Sequence, residues 1–107
     1  MAKYARSRRA VARLKSGDPC VFGRGAEEAM YLGSLGFNVQ MIPGISSALA
    51  APMYAGIPLS ARGYASSFSV VSAHLQESRF NDDWIPMLKL ERHTVVVLMG
   101  LSVVKEI

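Results

Sequence analysis

Asp18 is the residue of this chain best placed to do chemistry. It stands in the segment Lys15-Ser16-Gly17-Asp18-Pro19-Cys20-Val21-Phe22-Gly23-Arg24-Gly25-Ala26-Glu27-Glu28. Gly17 lets the backbone come close to a ligand, and Pro19 fixes the chain just behind the carboxylate. A carboxylate held in that way can accept hydrogen bonds from ribose hydroxyls or from an amine. The segment does not read as a phosphate cradle. A P-loop needs Gly-Lys-Ser/Thr at the helix entrance, and the dinucleotide fingerprint needs a third small residue where Glu28 stands. Glu27 and Glu28 suit the positive end of a helix but repel a phosphate brought there. A nucleoside bound here is expected to lack phosphates, and S-adenosylmethionine is the common one. The plainer alternative is an ordinary strand-to-helix turn with Asp18 as a local cap.

Other chemistries find less support. His74 and His93 lie far apart, no carboxylate–histidine pair has ligand spacing, and no metal site is expected. Serine hydrolysis lacks its Gly-x-Ser-x-Gly elbow. For both histidines a surface or strand-end position is the simpler account. Cys20 is the only cysteine, so neither a disulfide framework nor a cysteine metal cluster is available, and a reducing, cytoplasmic setting fits.

The elements that must carry the Asp18 loop follow from periodicity. A helix remnant is expected at residues 3–8, a strand at Ala10–Leu14, the ligand loop at 15–25 and a helix at 26–35 closed by Gly36. Phe37–Ile42 alternates as a strand, and Pro43-Gly44 turns the chain. Ser46 or Ser47 can cap a helix over Ala48–Ala55, which Pro52 should kink and Gly56 should end. Beyond the linker, strands are expected at Ser67–Ser72 and Thr94–Met99. Asp82–Leu90 reads as a helix capped by an aspartate, and Ser102–Ile107 as a final helical start. A loop at the carboxyl end of a strand is where open α/β sheets bind ligands. The missing first strand and the unfinished last helix are expected of the middle of a longer chain.

Composition bounds the partners. With 107 residues, 50% hydrophobic and 19% charged, the chain is globular in type and has room for one small domain or pieces of two. The net charge of +4 points at first to nucleic acid. Yet six of the twelve Lys/Arg, namely Lys3, Arg6, Arg8, Arg9, Arg13 and Lys15, lie in the first fifteen residues, leaving six against eight Asp/Glu. That is one basic head, not a stripe. The acid-free head could pass for a targeting peptide, but it runs straight into the first strand with no room for a cleavage site. The stretch Ala29–Ala61 carries no formal charge. Its glycines and prolines exclude a membrane span, so deep burial is expected, often against another domain or subunit.

The motifs, taken together, resemble a known family. Ala5-Arg6, Arg9, Val11, Arg13-Leu14-Lys15-Ser16-Gly17-Asp18-Pro19, Phe22-Gly23-Arg24-Gly25 and Glu27-Glu28 are similar to the central motif of the tetrapyrrole methylases, in particular the uroporphyrinogen-III C-methyltransferases. The resemblance continues through Ile42–Ala48, Ala51-Pro52, Tyr54–Leu59, Arg62-Gly63, Ala65–Ser67, His74, Asp83-Trp84 and Met99-Gly100-Leu101. It covers essentially the whole chain in order.

The resemblance implies an α/β fold, the chain spanning two α/β domains with the cofactor cleft between them. Residues 1–43 would end the first domain, 44–59 would be the kinked inter-domain helix and linker, and 60–107 would begin the second. It also implies S-adenosyl-L-methionine as cofactor, a homodimer, and no nucleic-acid or membrane partner. Ser16, Gly17, Asp18 and Val21 would line the cofactor pocket, Ser46 and Ser47 would take the methionine end, and Met99 would pack on the adenosine. For Ser46-Ser47 the alternative is simple capping, and for Met99 plain core. The reaction implied is C-methylation of uroporphyrinogen III to precorrin-2, toward sirohaem and cobalamin. Because the substrate is a polycarboxylate, Arg24 and Arg62 are candidates for binding it. Ser16 replaces a usual glycine. The upstream Asp and Lys regarded as the acid/base pair match nothing here, so no catalytic residue is assigned. Two alternatives stand beside this: another tetrapyrrole methylase, such as a precorrin methyltransferase, and a non-catalytic fragment binding through its basic head.

Overall fold

The computed structural model describes residues 1–7, 10–75 and 79–107. Arg8 and Arg9, which belong to the expected first helix and basic head, lie outside the described residues. The chain divides into two compact units, Met1–Ser46 and Ser47–Ile107.

Among its described residues the first unit has two helices. Helix α1 is Ala2–Ala5 and helix α2 is Gly25–Ser34, with Glu27 and Glu28 in its first turn. As expected from Gly36, α2 ends in a Schellman motif: the Gly36 N–H donates to Gly33 O (2.9 Å) and the Phe37 N–H to Leu32 O (3.2 Å), with Gly36 at φ 78°. The strands expected at Ala10–Leu14 and Phe37–Ile42 do not form; both segments are irregular. Alternation and apolar runs state which face wants burial, whereas a strand also needs a hydrogen-bonded neighbour.

The second unit opens with helix α3, Ser47–Tyr54, which contains Pro52. Its end is again a Schellman motif, with Gly56 N–H on Met53 O (3.0 Å) and Ile57 N–H on Pro52 O (2.8 Å). Strand β1, Ser67–Ser72, pairs in parallel with β2, His93–Leu98, in the register Ser67 with His93 through Ser72 with Leu98. Helix α3 and the 3-10 helix Ile85–Lys89 both pack on β2. The full α-helix expected over Asp82–Leu90 is absent because Pro86 lacks a donor and disfavours helical backbone at Ile85. Bonds three residues apart result, such as Met87 N–H to Trp84 O at 2.9 Å. Nor does an aspartate cap it; Asn81 Oδ1 accepts the Asp83 N–H at 3.2 Å instead. The expected last helical start is only a 3-10 turn, Leu101–Val103.

Ala48, Ala73 and Trp84 form the fully buried apolar core. The uncharged stretch is not buried as expected: Ile45 is 76% exposed, Met53 67% and Tyr54 88%. A lone parallel strand pair covers little apolar surface, since parallel strands are normally covered on both faces. No helix among the described residues is long and apolar enough to cross a membrane.

Candidate functional site

Each functional side chain of the first unit is held by backbone. Gly17 takes φ 69°, which turns the chain so that Asp18 faces the loop Pro43–Ser46. Asp18 Oδ1 accepts the Cys20 N–H at 2.8 Å, and Oδ2 accepts the Gly44 N–H at 3.0 Å. The half-buried carboxylate thus clamps its own turn to a loop 26 residues further on. The Gly44 bond, followed by that of Cys20, holds the Asp18 carboxyl below its ordinary value; partial burial opposes them and the Val21 N–H adds to them. The approach is too close for a side chain on the second loop: a Cβ on Gly44 would collide with the Gly17 carbonyl oxygen. At Gly17 itself a Cβ would lie 3.8 Å from both Ile45 O and Ser46 Cα. Asp18, Gly17 and buried Ser46 (6% exposed) are therefore neighbours. Ser16 and Val21 flank them on the exposed rim.

Beside this clamp lies a charged basin of about 450 Å³ lined by Arg13, Lys15, Gly23, Arg24, Glu27 and Glu28. Lys15 Nζ meets Glu28 Oε2 at 3.0 Å, and Arg13 reaches Glu28 Oε1 at 3.5 Å. Arg24, in left-handed backbone at φ 57°, makes a forked pair with Glu27, its Nη2 2.7 Å from Oε2 and its Nε 3.1 Å from Oε1. The hydrogen bond to Glu27, then its charge, raises the Arg24 guanidinium, and the reciprocal bond lowers Glu27. The Lys15 hydrogen bond lowers Glu28. The two carboxylates that seemed to repel an anion are thus matched by three cations.

The second unit holds the remaining candidates. Ser47 is exposed at the start of α3. Met99, directly after β2, is 54% exposed and takes φ 59°. A longer side chain in that left-handed backbone carries strain of order 1 kcal/mol. Exposed and strained at a strand's carboxyl end, Met99 is not the plain core residue of the simpler account. Arg62 is exposed at the tip of the turn Ala61–Ala65, closed by the Ala65 N–H on Ala61 O at 2.9 Å; it makes no ion pair among the described residues. No cluster of three or more His, Cys, Asp or Glu among the described residues is arranged to hold a metal.

Sequence reasoning missed three features. The Lys15–Glu28 pair spans 13 residues and has no local signature. The left-handed backbone of Phe22 (φ 53°) and Arg24 is likewise invisible where no glycine announces it. The link from His74 to Ser102, with Nε2 and Oγ 3.2 Å apart, joins the carboxyl ends of two strands that only their parallel pairing brings together.

The comparisons with known proteins place the chain in a family. Residues 1–107 match the profile of the Tetrapyrrole (Corrin/Porphyrin) Methylases, and the chain belongs to that family. It is 42% identical over 102 residues to a uroporphyrinogen-III C-methyltransferase of Methanocaldococcus jannaschii, covering 95% of this chain and 42% of the relative. It is 45% identical over 101 residues to a siroheme synthase of Nitrosospira multiformis, covering 94% of this chain and 21% of that protein. The solved uroporphyrin-III C-methyl transferase of Thermus thermophilus, complexed with S-adenyl homocysteine, superposes with a TM-score of 0.77 at 42% identity. That match covers 94% of this chain and 43% of the solved one. The chain thus spans between about a fifth and two fifths of the length of these relatives.

Proposed function

We propose that this chain carries cofactor and substrate contacts of an enzyme that C-methylates uroporphyrinogen III, using S-adenosyl-L-methionine, to precorrin-2. The observation that carries the reading is the Asp18 clamp. It holds the loop Ser16–Val21 against Gly44 and Ser46, the two motifs that the family resemblance assigns to the cofactor.

The donor set suits that cofactor. An ionised carboxylate offers about four lone-pair sites, of which the Cys20 and Gly44 N–H groups take two. Capacity remains for a ribose hydroxyl or the amino group. Gly17 leaves its neighbourhood free of side-chain bulk, and Ser16, Val21, Ser46, Ser47 and Met99 complete the proposed contacts. When bound, the cofactor supplies an activated methyl on a sulfonium. The work left to these residues is orientation and exclusion of water, so that an electron-rich pyrrole carbon meets the methyl in line. Arg24 and Arg62 are proposed to take substrate carboxylates, Arg62 directly and Arg24 by exchanging its Glu27 partner for one.

The names of the relatives speak for uroporphyrinogen III over a later corrin intermediate. Against a basic binding fragment, Arg13, Lys15 and Arg24 are each paired with a glutamate of α2. The exposed apolar side chains of 29–61 support a homodimer as the working form, and the lone cysteine fits a reducing, cytoplasmic setting. Two measurements test the proposal: calorimetric titration with S-adenosylmethionine, and transfer of labelled methyl to uroporphyrinogen III by the full-length protein. Saturable binding and product labelling are expected. Failure of both in folded protein would refute it.

A further inference from the structure

We infer that His74 is a positioning residue, locking the turn after β2 so that Met99 is presented in one orientation. The inference rests on the proposed role of Met99 at the cofactor. Strands β1 and β2 run in parallel and end side by side, Ser72 opposite Leu98, and the Ala73 N–H continues the ladder to Leu98 O at 2.9 Å. The next residue on the first strand's side is His74, and the next on the second is Met99.

Both the backbone and the ring of His74 are fastened. Ser72 Oγ donates to His74 O at 2.7 Å and accepts the His74 N–H at 3.1 Å. Asn81 closes the loop behind, its N–H on Ala73 O and its Nδ2 on Ser72 O, each at 2.8 Å. The ring then reaches across, Nε2 lying 3.2 Å from Ser102 Oγ in the 3-10 turn Leu101–Val103. Nδ1 is buried with no hydrogen-bond partner among the described residues. The Nε2–Ser102 link is thus the hydrogen bond that holds the ring, the donor being set by the tautomer. Gly100 lies between the two fastened points, packed so closely that a Cβ there would stand 2.8 Å from Ile107 Cδ1 and 3.7 Å from Ala73 Cβ. Met99 therefore has β2 on one side and a turn pinned by His74 on the other. That is the restraint a left-handed, half-exposed methionine requires if it is not to relax and swing away.

The test is a set of cofactor affinities, measured by calorimetry with S-adenosyl homocysteine on the full-length protein. His74→Ala and Ser102→Ala are each expected to raise Kd about 3- to 10-fold, the weight of one hydrogen bond. The double variant should be no worse than either alone, because both remove the same link. His74→Gln, which returns a hydrogen-bonding amide near the Nε2 position, should recover most of the loss, whereas His74→Phe should not. Exposed Ser102 keeps the test open should the His74 variants fold poorly. Met99→Ala separates the two levels of the argument. If it leaves Kd unchanged, the reading of Met99 falls. If it weakens binding while Ser102→Ala does not, or if the two losses add, the positioning role of His74 falls alone.

Discussion

Replacing Gly44 by alanine tests the central contact directly. The added Cβ meets the carbonyl oxygen of Gly17, and the obstacle is backbone, which cannot rotate aside as a side chain would. The loops must separate, stretching the 3.0 Å bond from the Gly44 N–H to Asp18. Overpacking of this kind costs about 1–3 kcal/mol. With a urea dependence near 2 kcal/mol per molar, the unfolding midpoint should fall by roughly 0.5–1.5 M. Gly33 supplies the opposite sign within the same unit. It lies in the last turn of α2, a Cβ there meets nothing within 4 Å, and alanine in a helix is favoured over glycine by about 0.5–1 kcal/mol. Gly33→Ala should therefore raise the midpoint by roughly 0.25–0.5 M. Urea titrations of both variants beside the parent protein decide the matter. A Gly44→Ala protein as stable as the parent would refute the close approach of the two loops, and with it the clamp.

Three further outcomes follow from the same contacts. Asp18 has its carboxyl lowered by the folded state from an ordinary 3.8, so it stabilises above that pH and the gain is lost as pH falls through the lower folded value. The stability advantage of the parent over Asp18→Asn should accordingly be full near neutrality and shrink below about pH 3.8; an advantage independent of pH in acid titrations would contradict the clamp. Trp84 is 2% exposed and its indole N–H is buried without a partner among the described residues. Trp84→Ala should cost about 3–5 kcal/mol, whereas Trp84→Phe, which deletes the unpaired donor and keeps most of the ring, should cost far less; equal losses would mean that the N–H is bonded. Arg62→Ala should raise KM for uroporphyrinogen roughly 10-fold, the weight of a charge-assisted bond, and leave cofactor affinity alone. An unchanged KM in steady-state assays would remove Arg62 from the substrate contacts.

Local punctuation made much of the chain readable before any coordinates. Gly36 and Gly56 announced two helix ends, and each forms the expected left-handed cap. The strand expected at Ser67–Ser72 forms as read, and the one expected at Thr94–Met99 forms one residue earlier, at His93–Leu98. What could not be read was partnership. Ala10–Leu14 and Phe37–Ile42 look like strands because their side chains ask for burial, and nothing in their letters reveals whether a neighbour strand is present. Pro86 was a legible stop that the apolar period around it obscured. In the site, residue types pointed to Asp18 and allowed it as a local cap, which the Cys20 N–H bond is, but gave no sign of its second bond, to Gly44, 26 residues on.

That double duty explains why the loop resists dissection by residue type. A binding carboxylate on a mobile turn would have to be ordered by its ligand, at a cost taken from affinity. Here the ordering is done in advance by two N–H groups, and the glycine at 44 is there because its neighbour's carbonyl leaves no space for anything larger. The same device recurs in the second unit, where Ser72 and Ser102 hold His74 by backbone and ring. In both places a polar side chain spends hydrogen bonds on fixing a loop. In the proposed reading those loops present Ser16 and Val21 in one case and Met99 in the other. Substitutions at Asp18 and His74 should consequently act on cofactor affinity far more than on the rate of methyl transfer at saturation, and a kcat that collapses while Kd stays put would assign them to the reaction itself.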